Sequence, residues 1–340
     1  MAYLSDITIS ISDGTLGLSN RSFDPLVVGS GTTASGVTTV YELTDLTDAG
    51  YTSSDAEYDM VSAMLAQTPR PQLIKVCRKA TATDYDDYLD TIRATDDAFY
   101  AVCIASREYA DLALAGTWAD ANGKFFFGCA ESVTALSGRS VDRESYLIHT
   151  SPTDYPECAW VGRCLPSDPG SIDWKWKVLS GQTASTFTSS ELTAIRVAHG
   201  NAIQSQAGVS FTNDSFTTSG KFIDVIMGRD WIEDQLKTDL LSMLINNNSI
   251  PYDDSGIAMV EAVVRGVLKR AGDNGLIAKA SSAADMLQSD DKVYMFRVTV
   301  PLRSDTSSVD RANRTLTDVK FVYTVAGSIH EVEVTGTITV

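Results

Sequence analysis

Positive charge is what this sequence is shortest of: 27 lysines and arginines stand against 44 aspartates and glutamates, a net charge of -17. A surface that acidic repels phosphate backbones and anionic headgroups, which excludes nucleic acid as the main partner and argues against a membrane surface. Long hydrophobic runs are missing too; nothing approaches the ~20 residues of a spanning helix. The opening residues carry no charged-then-apolar leader pattern. Histidine is scarce. His149, His199 and His330 each lack a second histidine or cysteine at metal-ligand spacing, so all three read as structural. The five cysteines include no CxxC pair, which disfavours both a disulfide framework and a zinc site. There is no GxSxG elbow and no GxxxxGK phosphate loop. The many carboxylates of DAEYD, DYDDYLD and ATDD form no acid–base pair in an apolar setting and read as a solvated face. No catalytic, metal-binding or cofactor-binding residue is assigned, and no enzyme or cofactor is expected.

What is present is regular. A chain of 340 residues has length for two domains, each with its own core. Residues 1–190 carry 13 basic and 25 acidic side chains (net -12), residues 191–340 carry 14 and 19 (net -5), so the first part is the more strongly solvated. Cys77, Cys103 and Cys129 recur every 26 residues in LIKVCRK, FYAVCIA and FFFGCAE, at one phase of three apolar, β-rich runs. Helical spacing fills the intervals: Tyr85, Tyr88, Leu89 and Ile92 make one stripe, and REYADLALAGTWADANG ends on Asn122-Gly123. This is the rhythm of a βαβ layer on a parallel sheet, with PLVVGSG as an earlier strand and SYLIHTSP as a later one. The turn Gly29–Gly36 (GSGTTASG) matches a dinucleotide fingerprint weakly, because VTTVYEL after it looks extended where that motif opens a helix. Trp174 and Trp176, alternating with Lys175 and Lys177, predict a half-buried strand. The Ser/Thr-rich stretch Ser180–Ser190 predicts a domain boundary.

Beyond that stretch the pattern changes. GRDWIEDQLKTDLLSMLINNN predicts a helix with Asp230 as N-cap and Glu233 completing a capping box. Ile232, Leu236, Leu240 and Leu244 lie on its buried face. DDSGIAMVEAVVRGVLKRAGDNG is a second amphipathic helix, its apolar stripe made of Ile257, Val260, Val263, Val264, Val267 and Leu268. Glu261, Arg265 and Lys269 line the other side, and Gly272 is the expected stop. Three strands are expected to close the chain: Val293–Leu302, VKFVYTV and IHEVEVTGTITV.

Both ends alternate. Ile7, Ile9 and Ile11 share one face of the opening segment; Val332, Val334, Ile338 and Val340 mark a strand running to the last residue. Strand-forming tails where chains usually fray suggest that the termini pair with something. The text from SGKFIDVIMGRDWIEDQLKTDLLSMLINNN through VVRGVLKRAGDNGLIA, and the closing VTVPLRSDTSSVDRANRTLTDVKFVYTVAGSIHEVEVTGTITV, resembles the sheath subunit of contractile phage tails, a myovirus-type family. The resemblance covers Phe211 to Val340 well and the opening residues in outline. It implies an α/β outer domain (residues 21–185), an α+β inner domain (186–330) and extended β-strand terminal arms (1–20 and 331–340). It further implies a subunit that stacks as hexameric rings in a helical lattice around the tail tube and contracts. Its partners would be other copies of itself, the tube protein, and baseplate and tail terminator proteins, in a virion assembled in the host cytoplasm. In this view Ile7, Ile9, Ile11, Val332, Val334, Ile338 and Val340 make inter-subunit strand exchange, and Arg265, Lys269 and Arg270 face the tube. The alternatives are a nucleotide-binding α/β enzyme built on the Gly29–Gly36 turn, or another self-assembling tail component.

Overall fold

The computed structural model describes residues 23–333, which form two compact units dividing between Ser249 and Ile250. In the first unit the chain runs β1 (Pro25–Gly31), β2 (Ser35–Val40), α1 (Leu43–Asp48), α2 (Ala56–Leu65), β3 (Ile74–Ala80), α3 (Tyr85–Thr95), β4 (Ala101–Ile104) and α4 (Tyr109–Ala121). It continues through β5 (Phe125–Ala130), β6 (Glu144–Ile148), α5 (Pro156–Cys164), α6 (Ser189–Val197), β7 (Asn201–Gln206), β8 (Val209–Thr212) and α7 (Ile223–Asn246). The strands form one sheet in the order β2-β3-β1-β4-β5-β6-β7-β8. β3, β1, β4, β5, β6 and β7 are parallel, and β2 and β8 are antiparallel edges.

Period-two alternation sends each strand's side chains into two cores, one per face. Val27, Val76, Cys103, Phe127 and Leu147 meet α2, α5 and the start of α7 on one face. Leu26, Val28, Cys77, Val102, Phe126 and Ile148 meet α3, α4 and α6 on the other. The three evenly spaced cysteines are all buried as expected, but not on one side. Cys77 pairs in register with Val28 and Cys103 with Val27, so equal spacing in sequence lands them on opposite faces. α2 and α5 pack so closely that a Cβ at Gly162 would stand 2.6 Å from the Met64 Cα.

The unit boundary falls at 249/250 rather than near 185. Asn201 and Ala202 of β7 continue the parallel ladder from Leu147 and Ile148, and Ile223, Ile226 and Met227 of α7 enter the core against that sheet. The Ser/Thr-rich stretch is therefore a connection inside one unit. The expected strand at Trp174–Lys177 is absent too. Trp174 is buried and stacked on Phe127 at 4.8 Å, whereas Trp176 takes a positive φ of 61° and is 47% exposed. Lys175 turns inward because Asp214 sits 3.2 Å from its Nζ.

The second unit holds α8 (Asp254–Asp273), α9 (Ala283–Gln288), β9 (Phe296–Thr299), α10 (Ser308–Asn313) and β10 (Lys320–Tyr323). Asp253 caps α8 by accepting from the amides of Ser255 and Gly256, both at 3.0 Å. Ile257, Val264, Val267, Leu268 and Ala271 form its buried face, with Val260 and Val263 half-buried. The helix runs through Gly272 to Asp273, one residue past the expected stop. β9 and β10 pair antiparallel, Phe296 opposite Tyr323 and Thr299 opposite Lys320. They are shorter than the predicted strands. Residues 329–333 are not a strand. Ile7, Ile9, Ile11, Val334, Ile338 and Val340 lie outside the described residues.

Candidate functional surfaces

In an open parallel sheet the default ligand crevice lies beyond the carboxyl ends of the strands, where the order reverses. Here that point is between β1 and β4, next to the Gly29–Gly36 turn. The turn leads into β2 and opens no helix, so it cannot present a helix N-terminus to a pyrophosphate. The space is filled from within. A Cβ at Gly29 would fall 1.7 Å from Glu57 Oε1; that buried carboxylate takes two bonds from Arg78, Nε to Oε1 at 2.6 Å and Nη2 to Oε2 at 3.0 Å. Asp55 adds a contact to Arg78 at 2.7 Å. Just past β4, Arg107 donates to the fully buried Glu157 at 2.7 Å and stacks over Tyr155. Burial raises the Glu157 carboxyl above its usual range despite the arginine, and pushes the Tyr155 phenol up to about 12. These charges pair with one another and fill the crevice, although Arg107 Nε and Glu157 Oε2 are left without a hydrogen-bond partner.

The five cysteines are all free and buried. Burial pushes the Cys77 thiol up to about 12 and those of Cys129 and Cys158 well above the ordinary value, so these three are not poised as nucleophiles. His149 is buried, with its ring nitrogens 3.1 Å from the Ser151 carbonyl and 2.8 Å from that of Thr183. Among the described residues no group of three His, Cys, Asp or Glu side chains is placed to hold a metal ion. Among them, too, no helix is long and apolar enough to cross a membrane.

The residue that pattern reading misplaced most is Asp230. It is not a cap: α7 starts seven residues earlier, with Phe222 in the N-cap position. Asp230 is fully buried in mid-helix and takes a fork from Arg143, Nε to Oδ2 and Nη2 to Oδ1, both at 2.7 Å. Tyr100 donates to the same Oδ2 at 2.9 Å. Arg143 precedes β6 and Tyr100 precedes β4, so this network pins α7 to the amino ends of the central strands. The signal was in the sequence: Asp230 stands three, four and seven residues after the core residues Met227, Ile226 and Ile223. A charge in that phase is an inward charge. Along the same helix Ile232 and Leu236 are buried as predicted, but Leu240 is only half-buried and Leu244 is exposed.

In the second unit, Arg265 and Lys269 share the polar side of α8 with Glu261. Arg265 binds Glu261 Oε1 at 2.7 Å and Asp290 at 3.2 Å; Lys269 reaches Asp291 at 3.4 Å. Burial works against the Arg265 charge, but Glu261 and Asp290 outweigh it and hold the guanidinium firmly protonated. Burial likewise works against the Asp291 carboxylate, yet the amides of Val293 and Tyr294 and the Lys269 ammonium keep its pKa below the usual value. Arg270 is exposed on the next position. Arg265 and Lys269 lie together, each braced by an acid from the loop 289–294, while Arg270, one position further on, points about 100° away around the helix.

The β9–β10 ribbon has one apolar face, Phe296, Val298, Phe321 and Tyr323, while Arg297, Thr299, Lys320 and Val322 are exposed. Beyond Phe296 and Tyr323 the segment 276–280 wedges between the chains, with Ala278 donating to Thr324 and accepting from Met295, both at 2.8 Å. At the other end, among the described residues, the ladder is two strands wide.

Residues 223–338, the C-terminal third of the chain, match the family model described as E217 tail sheath protein gp31-like, C-terminal domain. No curated protein is similar enough in sequence to count as a match. Among solved structures, the chain is similar to the helical sheath of the anti-feeding prophage in its contracted state (14% identity, TM-score 0.67, covering 99% of this chain and 97% of that one). It is likewise similar to the PVC sheath complex of an extracellular contractile injection system in the contracted state (11%, 0.69, 99% and 98%). The sheath tail protein from Desulfitobacterium hafniense is more distant (10%, 0.55, 88% and 93%). The resemblance read from the sequence therefore finds its counterpart: residues 223–338 match a tail-sheath family model, and the chain as a whole has the fold of contractile sheath subunits.

Proposed function

We propose that the chain is the repeating subunit of a contractile sheath. It would polymerise as stacked hexameric rings around a tail tube, be linked by exchanged terminal β-strands, and contract to drive the tube through a host envelope. The observation that carries this reading is the β9–β10 ribbon inside the family-matched region, two-stranded among the described residues. A two-stranded sheet is marginal alone, and an open ladder edge is a template for a further strand. The segments 2–12 and 331–340, with Ile7, Ile9, Ile11, Val332, Val334, Ile338 and Val340 as alternate side chains, are the proposed donors. Each main-chain hydrogen bond nets about 1 kcal/mol. Five or six of them with a few buried aliphatics reach several kcal/mol per arm at about 25 cal/mol per Å². Such links would persist while weaker contacts between near-rigid subunits rearrange, a two-state repacking that needs no nucleotide.

Arg265, Lys269 and Arg270 are the proposed tube-facing group. A contact that must let go on contraction is better made of screened charges than of apolar surface. The first unit, through Ser249, is the proposed outer part, and the second unit, from Ile250, the proposed inner part. Baseplate and terminator proteins are the proposed partners at the two ends; an anti-feeding prophage baseplate structure contains a chain of this fold (TM-score 0.70). The test is negative-stain electron microscopy of the purified full chain: hollow helical tubes or stacked rings are expected, and monodisperse monomers at every concentration overturn the proposal.

A further inference from the structure

Two features of the first unit complement each other across opposite ends of its sheet. At the carboxyl ends of β5 and β6, under α6, lies a pocket of about 120 Å³, well below the roughly 300–1,000 Å³ of a small-molecule site. Val133, Ile148, Phe187 and Ile195 line it together with Glu131 and Glu191. Glu191 is committed to the start of α6, its carboxylate accepting from the Thr188 amide at 2.7 Å and the Thr188 hydroxyl at 2.8 Å. Glu131 is exposed, and among the described residues it has neither an ion pair nor a side-chain hydrogen bond. An apolar floor with an unpaired carboxylate at its rim suits the end of one long cationic side chain, whose stem packs on the aliphatics while its head meets the charge. The second feature is Arg70, exposed between Pro69 and Pro71. Among the described residues of this unit it is the one exposed cation with neither an ion pair nor a hydrogen bond. Asp24 and Asp168 share its surroundings, but neither pairs with it. The flanking prolines each fix φ, so presenting this arginine to a partner costs little further chain entropy.

We infer that Arg70 of one copy seats in the pocket under α6 of a second copy, its guanidinium against Glu131. Charge chooses this occupant, and shape agrees: a guanidinium is flat and can lie against the Phe187 ring where an ammonium cannot stack. One copy cannot do this for itself. Arg70 lies four residues before β3 and Glu131 one residue after β5, and those strands run parallel in one sheet. The two residues therefore stand at opposite ends, separated by strands of seven and six residues that span roughly 20 Å. A knob at one end and a socket at the other make a heterologous contact. It sets copies end to end along the strand direction and leaves a knob and a socket open for the next. The inference rests on the self-assembly reading but names a contact between first units that the terminal strands do not supply.

The experiment measures, by pelleting at fixed salt, the concentration at which the full chain polymerises. Arg70→Glu and Glu131→Arg should each raise it about threefold or more, and the swap Arg70→Glu/Glu131→Arg should return it to within about twofold of the parent. Glu131→Arg separates the contact from bulk charge, because it makes each copy less acidic and would ease assembly if only net repulsion mattered. Both side chains are exposed, so melting temperatures should stay at the parent's value. If a reversal melts early, Arg70→Gln, Glu131→Gln and the two combined carry the test: a shared contact leaves the double variant no worse than either single one, and additive losses overturn it. Glu131→Arg polymerising at or below the parent's concentration overturns the contact. A defect confined to Glu131→Arg would give the pocket to a different cation, of this chain or of a tube protein, and also overturns it. So does a pair of defects that the swap fails to repair. A parent chain that stays monomeric at every concentration overturns the contact together with the self-assembly reading, whereas the other failures strike the contact alone.

Discussion

Asp230 shows how much one side chain can decide. Its carboxylate neutralises Arg143, which is itself buried, so Asp230→Ala would strand a guanidinium in the core. A loss of about 3–5 kcal/mol is expected, seen as a drop in the urea midpoint, with Asp230→Asn losing less because the amide can still accept from Tyr100. Gly162 decides by absence. Gly162→Ala sets a methyl against the Met64 backbone, so α5 must shift away from α2; about 1–3 kcal/mol is expected from the strain, again by denaturant titration. Acid should act through the carboxylates whose folded pKa is depressed. Asp96, Asp142 and Asp291 are all held below their ordinary 3.8. A depressed carboxylate contributes stability above its unfolded pKa and loses it as pH falls through the folded value. Melting temperature is therefore expected to be flat from about pH 7 to about 5 and to fall steeply below about 4; a chain that melts equally well at pH 3 would contradict the pairing of Asp96 with Lys75, Asp142 with Lys221 and Asp291 with Lys269.

At the scale of elements, α8 can be tested without touching the core. Arg265→Glu/Lys269→Glu breaks pairs that are partly exposed, so the cost to folding should stay within about 1 kcal/mol. Co-sedimentation with tube protein should nevertheless fall sharply if these cations face the tube, and unchanged co-sedimentation would remove them from that role. The same elements show what was legible beforehand. Strands β1, β3, β4, β5 and β6 stood out because buried parallel strands are short apolar runs bounded by turns, and α8 stood out because one face is apolar along its whole length. α7 was visible but misframed. Gly228-Arg229-Asp230 reads like a helix start, since local rules see a cap where tertiary structure has placed a buried ion pair. The Trp174–Lys177 alternation failed for a related reason: Asp214, distant in sequence, draws Lys175 inward. The pocket under α6 was not legible at all, because its walls come from separate stretches around Glu131, Ile148 and Glu191 that only the sheet order brings together.

For the molecule as a whole, the net charge sets a condition on assembly. Copies carrying -17 each repel at long range, and added salt shortens that reach to about 10 Å at 0.1 M. Pelleting assays should therefore show polymer forming at lower protein concentration as salt rises; the opposite trend would mean that attractive ion pairs dominate the lattice. Deleting residues 1–12 should leave a folded chain, with its melting temperature within a few degrees, that no longer forms tubes. The plugged crevice between β1 and β4 has one more consequence. Two-lobed proteins commonly give way around such a cleft, opening and shutting as a guest comes and goes. With Glu57, Arg78, Arg107 and Glu157 filling it, that seam is occupied rather than open, so the block is expected to carry load as one piece, as a strut does.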